Sequence, residues 1–323
     1  MIWLLSCCLD VQFILCILFL GFLFQRYYPR IKHVDFNAKG RAVLITGCDS
    51  GFGNLLARRL LDMGFHVFAA CLFPDGEGAQ SLKSHGSPGQ LYILRLDVTS
   101  DKEMAEVKIF VEEHLPEKGL WGIVNNAGIS MWGITEWFSI DKYQQIVDIN
   151  LLGSIRTTLA FAPLVRHSKG RMVFLSSISA FVYGLNGIYS MTKAAIEKFC
   201  DPLRQEMKQF GVLVSIIEPG NYSPATNIQA QKSPDEVWNS LSGPMKEIYD
   251  KDFVSKVTNL VNRNLGKGNH NAYEVVDSIV DALTSDKPKT RYLVANFMEK
   301  LKVYLCLIMP SLYDYLLSLA FRK

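Results

Sequence analysis

The stretch that decides the fold lies at residues 46–53 and reads TGCDSGFG. The apolar run Ala42–Ile45 precedes it, and a helical pattern over Asn54–Met63 follows and ends at Gly64, a residue that favours helix ends. In a glycine-rich turn between a strand and a helix, backbone N–H groups and the positive helix end can face a pyrophosphate. The stretch therefore favours a nucleotide-binding turn over a plain strand–helix connection.

The three glycines of this turn have separate expected roles. We expect Gly47 to permit the tight turn, Gly51 to allow the close approach of a pyrophosphate, and Gly53 to let the helix pack against the strand. A ligand cradled here would touch the turn and its flanks. The predicted cofactor contacts in the motif are Thr46, Gly47, Ser50, Gly51, Phe52 and Gly53.

Further strand-like runs alternate with helical stretches along the chain. They lie at His66–Ala70, Leu91–Leu96, Gly122–Val124, Met172–Ser176, Val212–Ile217 and Tyr292–Val294. Alternation of this kind predicts parallel pairing of the strands. We therefore expect an α/β fold, a Rossmann-type doubly wound parallel sheet flanked by helices.

Charge and hydropathy exclude one class of partner and predict another. The 323 residues carry 34 Lys and Arg against 31 Asp and Glu, which leaves no basic footprint for nucleic acid. Met1–Phe24 holds one charge, Asp10, and is about long enough to cross a bilayer as a helix. Because the start has no Lys or Arg, we predict an uncleaved single-pass membrane anchor helix and not a cleaved signal peptide.

Four more short motifs follow the glycine turn in order. They are Asn125–Gly128, Ser176–Ser177, Tyr189–Lys193 and Pro219–Gly220. Together with the Gly-x3-Gly-x-Gly spacing of the turn, they resemble the short-chain dehydrogenase/reductase family over about residues 40–295. The resemblance implies an enzyme that interconverts an alcohol and a carbonyl with a nicotinamide cofactor, and it implies a homodimer.

The residue types at Tyr189 and Lys193 suit this chemistry. When a nicotinamide accepts a hydride from an alcohol, a base has to take the hydroxyl proton. A tyrosine is a weak base at its ordinary pKa of about 10. A lysine four residues later lies on the same face of a helix, where its charge would lower the tyrosine pKa. We therefore predict Tyr189 as the acid/base and Lys193 as its electrostatic partner.

The family resemblance implies two further polar side chains in the proton transfer. One is a serine that orients the substrate oxygen. The family pattern assigns it to Ser177, and Ser176, at the alternative spacing, is the second candidate. The other is a helix asparagine that holds a water in the proton relay, and it matches Asn150.

Cofactor contacts beyond the glycine turn are also implied by the resemblance. The family has a threonine four residues after the Pro-Gly glycine, where Pro224 stands here, so Thr226 or Ser223 is expected to substitute. We expect Asn125 mainly to brace the central strands. The implied contacts are Asp97, Asn125, Ala127, Gly128, Tyr189, Lys193, Pro219, Gly220 and Thr226.

The sequence favours NAD over NADP as the cofactor. The glycine turn carries Asp49, and no arginine follows the second strand, so a 2′-phosphate would meet an acid and no base. The six histidines form no ligand-spaced cluster, and we predict no metal site.

The substrate class follows from a closer resemblance within the family. The turn, the segment Gly119–Gly122 and the run Glu218–Asn221 look like the branch with retinol, membrane hydroxysteroid and D-3-hydroxybutyrate dehydrogenases. The anchor favours a lipophilic alcohol, ketone or aldehyde, a retinoid or a hydroxysteroid. A hydroxybutyrate-type enzyme, which would need a cationic pocket, is the alternative. A non-enzymatic membrane scaffold that binds nucleotide is a third reading.

These observations divide the chain into four segments. We predict a transmembrane anchor at 1–24, a juxtamembrane linker at 25–40, the dehydrogenase domain at 41–300 with a substrate lid at 227–268, and an apolar membrane-associated segment at 301–323. A helix that covers the core is the alternative for the last segment. Positive charge after the anchor predicts a cytosolic catalytic domain, on the endoplasmic reticulum membrane by the resemblance.

Overall fold

The computed structural model describes residues 36–226 and 228–321, together with Gly21. The predicted anchor at 1–24, Gly21 apart, and the linker up to residue 35 therefore lie outside the described residues. Within the described part, no helix is both long and apolar enough to cross a membrane. Of the described residues, those at 37–284 and 288–321 belong to one compact unit. This unit holds the sheet and the site described below.

Seven parallel strands form one sheet in the described part of the chain, in the order β3-β2-β1-β4-β5-β6-β7. The order reverses between β1 and β4, which is the signature of a doubly wound sheet. The predicted α/β fold is therefore confirmed. The strands are β1 (Ala42–Thr46), β2 (His66–Cys71), β3 (Leu91–Arg95), β4 (Leu120–Asn125), β5 (Arg171–Leu175), β6 (Leu213–Pro219) and β7 (Arg291–Val294).

Helices flank this sheet and connect its strands. A π-helical turn at Asp148–Leu152 and 3-10 turns at Thr135–Trp137, Ile178–Ala180 and Ser223–Ala225 complete the described elements. The helices are α1 (Gly51–Asp62), α2 (Glu77–Lys83), α3 (Asp101–Glu113), α4 (Ile140–Val147), α5 (Gly153–His167), α6 (Gly187–Lys208), α7 (Pro234–Ser240), α8 (Gly243–Ile248), α9 (Lys251–Gly266), α10 (Tyr273–Thr284), α11 (Phe297–Ile308) and α12 (Pro310–Phe321).

The central strands are apolar along their whole length because they are covered on both faces. All residues of β1, β4 and β5 are buried, as are all but the first residue of β2. Parallel sheets need this double cover, since helices pack on each side of them. Phe68, Phe161 and Phe174 are among the largest fully buried side chains of this core. The rigid sheet fixes where its connecting loops begin.

The predicted lid at 227–268 forms α7, α8 and α9. Its aromatic residues contact the body of the domain and one another. The Tyr249 ring lies edge-on to Trp137 at 5.8 Å and stacks on Phe253 at 5.4 Å. Of the described lid residues, Ile228 lines the main cleft. The Tyr249 ring therefore packs this segment against the 3-10 turn that holds Trp137.

The C-terminal apolar segment forms two consecutive helices. Asn296 caps α11 in a capping box with Glu299, and α11 ends before Pro310, which begins α12. A proline suits the first turn of a helix but interrupts a continuous one. The apolar C-terminus is therefore split into two short helices.

Candidate active site

A cleft of about 780 Å³ lies at the carboxyl edge of the sheet. Its walls come from the loops after β1 to β6, around the point where the strand order reverses. Ligands of doubly wound sheets bind at this reversal. The predicted residues that line the cleft are Gly47, Ser50, Gly51, Phe52, Asp97, Ala127, Gly128, Ser177, Tyr189, Lys193, Pro219, Gly220 and Thr226. Thr46, Gly53, Asn125 and Asn150 lie outside its lining.

The glycine turn has the geometry that its sequence predicts. Gly47 has φ +72° and Gly51 has φ +58°, the left-handed region that favours glycine. A Cβ added to Gly47 would lie 2.9 Å from the Cα of Ala127. A Cβ on Gly53 would overlap the carbonyl oxygen of Gly47, so α1 can approach the end of β1 only with glycine there.

Thr46 and Asn126 join this turn to the segment that follows β4. The Thr46 hydroxyl accepts hydrogen bonds from the backbone N–H groups of Asn126 and Ala127, both at 3.1 Å. The Asn126 amide donates to the carbonyls of Thr46 at 2.8 Å and Gly47 at 2.9 Å. Asn126 also lines the cleft, and the sequence reasoning missed it. The second asparagine of the Asn125–Gly128 motif was the signal available.

Asn125, its neighbour, points away from the cleft. It is buried, and its amide nitrogen lies 3.4 Å from the Thr158 hydroxyl on α5. This contact joins β4 to a flanking helix. The placement agrees with the expected bracing of the central strands, and direct contact with a ligand is not part of it.

Tyr189 stands in the wall of the cleft at the start of α6 and is 8% exposed. Burial raises the pKa of its hydroxyl well above the ordinary value, and a hydrogen bond with the Ser177 side chain opposes that rise. The sequence led us to expect a lowered pKa. Burial outweighs the partners because an ionised phenol loses its hydration inside the protein.

Lys193 follows one turn later and is also buried. Its ammonium donates to the Leu175 carbonyl at 2.8 Å and lies 5.5 Å from the centre of the Tyr189 ring. Burial lowers the pKa of Lys193 to about 8, and the nearby Glu197 carboxylate opposes that change. The predicted pair therefore occupies one wall of the cleft.

The two candidate serines face different partners. Ser176 Oγ lies 3.3 Å from the Lys193 carbonyl, on the side of the helix backbone. Ser177 Oγ lies 3.4 Å from the Pro219 carbonyl and forms the hydrogen bond with Tyr189. This geometry favours Ser177 as the serine that works with the tyrosine.

Asn150 lies behind the lining of the cleft and connects two segments that form its wall. It lies on the π-helical turn and is 1% exposed. Its Nδ2 donates to the Ile129 carbonyl at 2.9 Å and to the Thr192 hydroxyl at 3.1 Å, while its Oδ1 accepts from the Ile129 N–H at 2.8 Å. Because Thr192 lies between Tyr189 and Lys193 on α6, Asn150 fixes that helix against the segment after β4. Such π-helical turns are frequent at functional sites.

Two carboxylates line the opposite end of the cleft. Asp49 accepts hydrogen bonds from the backbone N–H groups of Leu72 at 3.0 Å and Phe73 at 2.8 Å, just after β2. Asp97 accepts from the N–H and the hydroxyl of Thr99 at 2.9 and 2.8 Å. Each carboxylate therefore shapes the loop that follows a strand and places negative charge in the wall.

The loop after β6 turns Thr226 and Ser223 toward the cleft. Both residues line it, whereas Pro224 does not. The Thr226 hydroxyl donates to the Tyr222 carbonyl at 3.3 Å. Pro224 stands against Gly268, where an added Cβ would lie 2.5 Å from the proline Cδ. The proline at the usual threonine position thus faces away from the cleft.

The cleft carries little positive charge. Among the described residues that line it, Lys193 is the one cation, and Asp49, Asp97 and Asp148 are acids. Ile129, Trp132 and Ile228 add apolar surface. An anionic substrate would find no exposed cation among these residues.

The chain matches the family model described as short chain dehydrogenase over residues 41–237. Retinol dehydrogenase 7 of Mus musculus is 39% identical over 267 residues, which cover 81% of this chain and 83% of that protein. Human 17-beta-hydroxysteroid dehydrogenase type 6 is 36% identical over 308 residues, 94% of this chain and 96% of that protein. Rat mitochondrial D-beta-hydroxybutyrate dehydrogenase is 38% identical over 264 residues, 79% and 77% of the two chains.

A solved structure has the same fold. A short-chain dehydrogenase from Streptomyces avermitilis superimposes with a TM-score of 0.67 at 21% identity. The match covers 88% of this chain and all of that one. At this identity the likeness concerns the fold alone.

Proposed function

The chain belongs to the short-chain dehydrogenase family, and from this premise we propose that it oxidises a lipophilic alcohol with NAD or reduces the corresponding carbonyl. It is an oxidoreductase that interconverts alcohols and carbonyls, as its family and relatives are. The observation that carries the residue assignments is one juxtaposition. Tyr189 is buried in the wall of the cleft, where it forms a hydrogen bond with Ser177 and lies near the Lys193 ammonium.

The residues around the cleft fit a dinucleotide. The glycine turn leaves a cradle that a Cβ would fill, and α1 begins there without a side-chain cap and without an acid in its first turn. Its N–H groups and dipole can therefore receive a pyrophosphate. We assign the adenine to Asp97, the adenosine ribose to Ala127 and Gly128, the nicotinamide ribose to Tyr189 and Lys193, and the carboxamide to Pro219, Gly220 and Thr226.

The chain's own residues would carry the proton. A bound nicotinamide supplies the hydride acceptor for the carbinol carbon. Tyr189 takes the hydroxyl proton in oxidation and returns it in reduction, while Ser177 holds the substrate oxygen. The Lys193 charge stabilises the phenolate, and Asn150 keeps the helix that carries both residues in place.

Charge in the cleft supports NAD over NADP. The Asp49 carboxylate lies at the end of β2, where an adenosine ribose is read in such folds. With Lys193 as the one lining cation among the described residues, a 2′-phosphate would meet repulsion and no partner.

Charge also bears on the choice of substrate. The hydroxybutyrate alternative draws support from the rat relative, but it calls for a cation that would bind a carboxylate. The described lining offers the buried Lys193 alone. A retinoid or hydroxysteroid needs no such charge, and the retinol and hydroxysteroid relatives support that class.

A substrate panel tests this proposal. The full chain in detergent is offered retinol, a 3-hydroxysteroid, a 17-hydroxysteroid and 3-hydroxybutyrate, each with NAD and with NADP, while reduced-cofactor fluorescence is followed. We expect turnover of a retinoid or steroid with NAD. Turnover of hydroxybutyrate alone would favour the alternative, and a complete lack of turnover would favour the scaffold.

Exposed apolar side chains support a membrane-resting C-terminal helix pair. On α11 and α12 few side chains are buried, and Phe297 and Ile308 are 76% and 72% exposed. We propose that these two helices lie in the interface of a bilayer, the predicted endoplasmic reticulum membrane. Homodimer formation stays a prediction that analytical ultracentrifugation in detergent would test.

A further inference from the structure

A buried group of charges lies behind the Tyr189–Lys193 pair. Glu197 follows Lys193 by one helical turn on α6, Glu218 lies on β6, and both are 4% exposed. Arg291 of β7 places Nε 3.0 Å from Glu197 and 3.4 Å from Glu218. The proton transfer proposed above makes no use of these three residues.

One guanidinium serves three carboxylates in this group. A second nitrogen of Arg291, Nη2, is 2.6 Å from Asp201. Glu197 and Glu218 each keep a buried Oε1 that accepts no hydrogen bond. Burial raises the pKa of both carboxyl groups, in the case of Glu218 to about 7, and Arg291 opposes that rise. The two carboxylates therefore share the charge of one Arg291 side chain.

Glu197 acts on Lys193 through its charge. A buried ammonium is unfavourable without an opposite charge nearby, and the hydrogen bond to the Leu175 carbonyl supplies only a dipole. The Glu197 carboxylate favours the protonated form of Lys193. Ser176 lies between the two, since its hydroxyl contacts the Lys193 carbonyl at 3.3 Å and the Glu197 carboxylate.

We propose that Glu197 is a positioning residue that keeps Lys193 charged, and that Arg291 holds the Glu197 carboxylate in place. This inference rests on the proposed function, because the charge of Lys193 matters only through Tyr189. Around Lys193 lie Tyr189 and Glu197 of α6 and the carbonyl of Leu175. The groups that face Glu197 are Ser176, which directly follows β5, Glu218 of β6, Arg291 of β7, and Cys200 and Asp201 of α6.

Two substitutions with different expected effects test the proposal in the full chain. Glu197→Gln removes the counter-charge, so Lys193 loses its proton earlier, and the alkaline limb of the kcat/KM profile moves to lower pH by at least about half a pH unit. Glu218→Gln leaves the Glu197 charge and its ion pair with Arg291 in place, so the limb moves less than in Glu197→Gln. Glu206→Gln, an exposed glutamate on the same helix, is the matched control and leaves the profile unchanged.

A structural role would look different. Glu197→Gln would then lower turnover equally at every pH without moving the limb, and this result would overturn the proposal. A shift in Glu218→Gln as large as that in Glu197→Gln would show that Glu197 has no particular effect on Lys193, and it would also overturn the proposal. Glu197→Asp keeps the charge and is expected to keep the alkaline limb at its wild-type pH. This variant tests the role of the charge even if the Gln variant does not fold.

A second readout does not depend on turnover. The pH dependence of the thermal unfolding midpoint between pH 7 and 10 reports the titration of Lys193, and it should move to lower pH in Glu197→Gln and move less in Glu218→Gln. If the wild type turned over no alcohol, the proposed function would fail. The unfolding midpoint would still test whether Glu197 keeps Lys193 charged. Unchanged midpoint curves in both variants would contradict the inference.

Discussion

Lys193 has to stay charged inside a wall that excludes water. Its pKa in the folded chain, about 8, lies below the ordinary value of 10.5. The folded chain thus binds this proton less tightly than the unfolded one. The free energy of unfolding therefore rises with pH between about 8 and 10.5, and the cost of the buried charge is fully present below pH 8.

Replacing Lys193 should accordingly abolish the activity and raise the stability of the fold. Lys193→Met removes the buried charge and the hydrogen bond to Leu175, and we expect the free energy of unfolding at pH 7 to rise by about 2 kcal/mol. Turnover should be lost. Urea unfolding of the variant measures the change, with Lys198→Met, an exposed lysine on α6, as the control. A Lys193→Met chain that is less stable than wild type at pH 7 would contradict this account of the site.

At the scale of single residues, the sequence predicted which residues form the site better than it predicted their pKa values and partners. Tyr189 and Lys193 follow from their residue types and spacing, and Ser177 follows from the family resemblance with Ser176 as the alternative. All four residues line the cleft. The direction of the Tyr189 pKa could not be predicted, because it depends on burial by residues far away in the chain. The ion pairs of Arg291 could not be predicted either, because its partners on α6 and β6 lie 73 or more positions before it in the chain.

Among the elements, the turn between β1 and α1 tolerates little change. An added methyl group at Gly53 would overlap the Gly47 carbonyl and the Asn126 amide, which hold β1 to β4. We expect Gly53→Ala to weaken NAD binding by at least about tenfold and to destabilise the fold by about 1–3 kcal/mol. Calorimetric NAD titration and urea unfolding measure the two effects.

A matched substitution separates this effect from a general cost of alanine. Gly243 begins α8, and a Cβ there would meet nothing within 4 Å. Gly243→Ala should leave NAD binding unchanged and alter stability by less than about 0.5 kcal/mol. Equal effects of the two substitutions would show that close packing at Gly53 is not what holds the turn.

Element boundaries were predictable where the apolar pattern is strong. The alternation of runs predicted the parallel strands, although β4 begins at Leu120, two residues before the predicted run. The π-helical turn around Asn150 was not predictable, because no local residue pattern distinguishes one extra residue in a helical turn. The lid aromatics had the spacing of a helix in sequence, and only the fold decided which surface they contact.

On the scale of the whole molecule, the apolar C-terminus is hydrogen-bonded to the loops that follow β5 and β6. The Glu299 carboxylate of α11 accepts a hydrogen bond from the Asn221 N–H in the cofactor loop at 2.9 Å. Asp314 of α12 accepts one from the Tyr183 hydroxyl, in the loop after β5, at 2.5 Å. A bilayer surface that holds α11 and α12 would therefore lie close to the entrance for a lipophilic substrate.

Photoreactive lipid tests this placement. The full chain, reconstituted in vesicles with a phospholipid that carries a diazirine in its acyl chain, is irradiated and digested, and the labelled peptides are identified by mass spectrometry. We expect labels on peptides from 297–319 and none on the α3 peptide, whose exposed Ile109 is the internal control. Labels confined to residues 1–24 would contradict a membrane-resting helix pair.

NADH formation by the wild type and by Tyr189→Phe, measured on the same panel of alcohols, tests the central claim most directly. The account predicts NADH from a retinoid or a hydroxysteroid with the wild type. It predicts a rate at least about 100-fold lower with Tyr189→Phe, because the phenyl ring cannot take the proton. NAD binding should be nearly unchanged, since the ring still fills its place in the wall. Near-normal turnover by Tyr189→Phe, with any alcohol of the panel, would contradict the account.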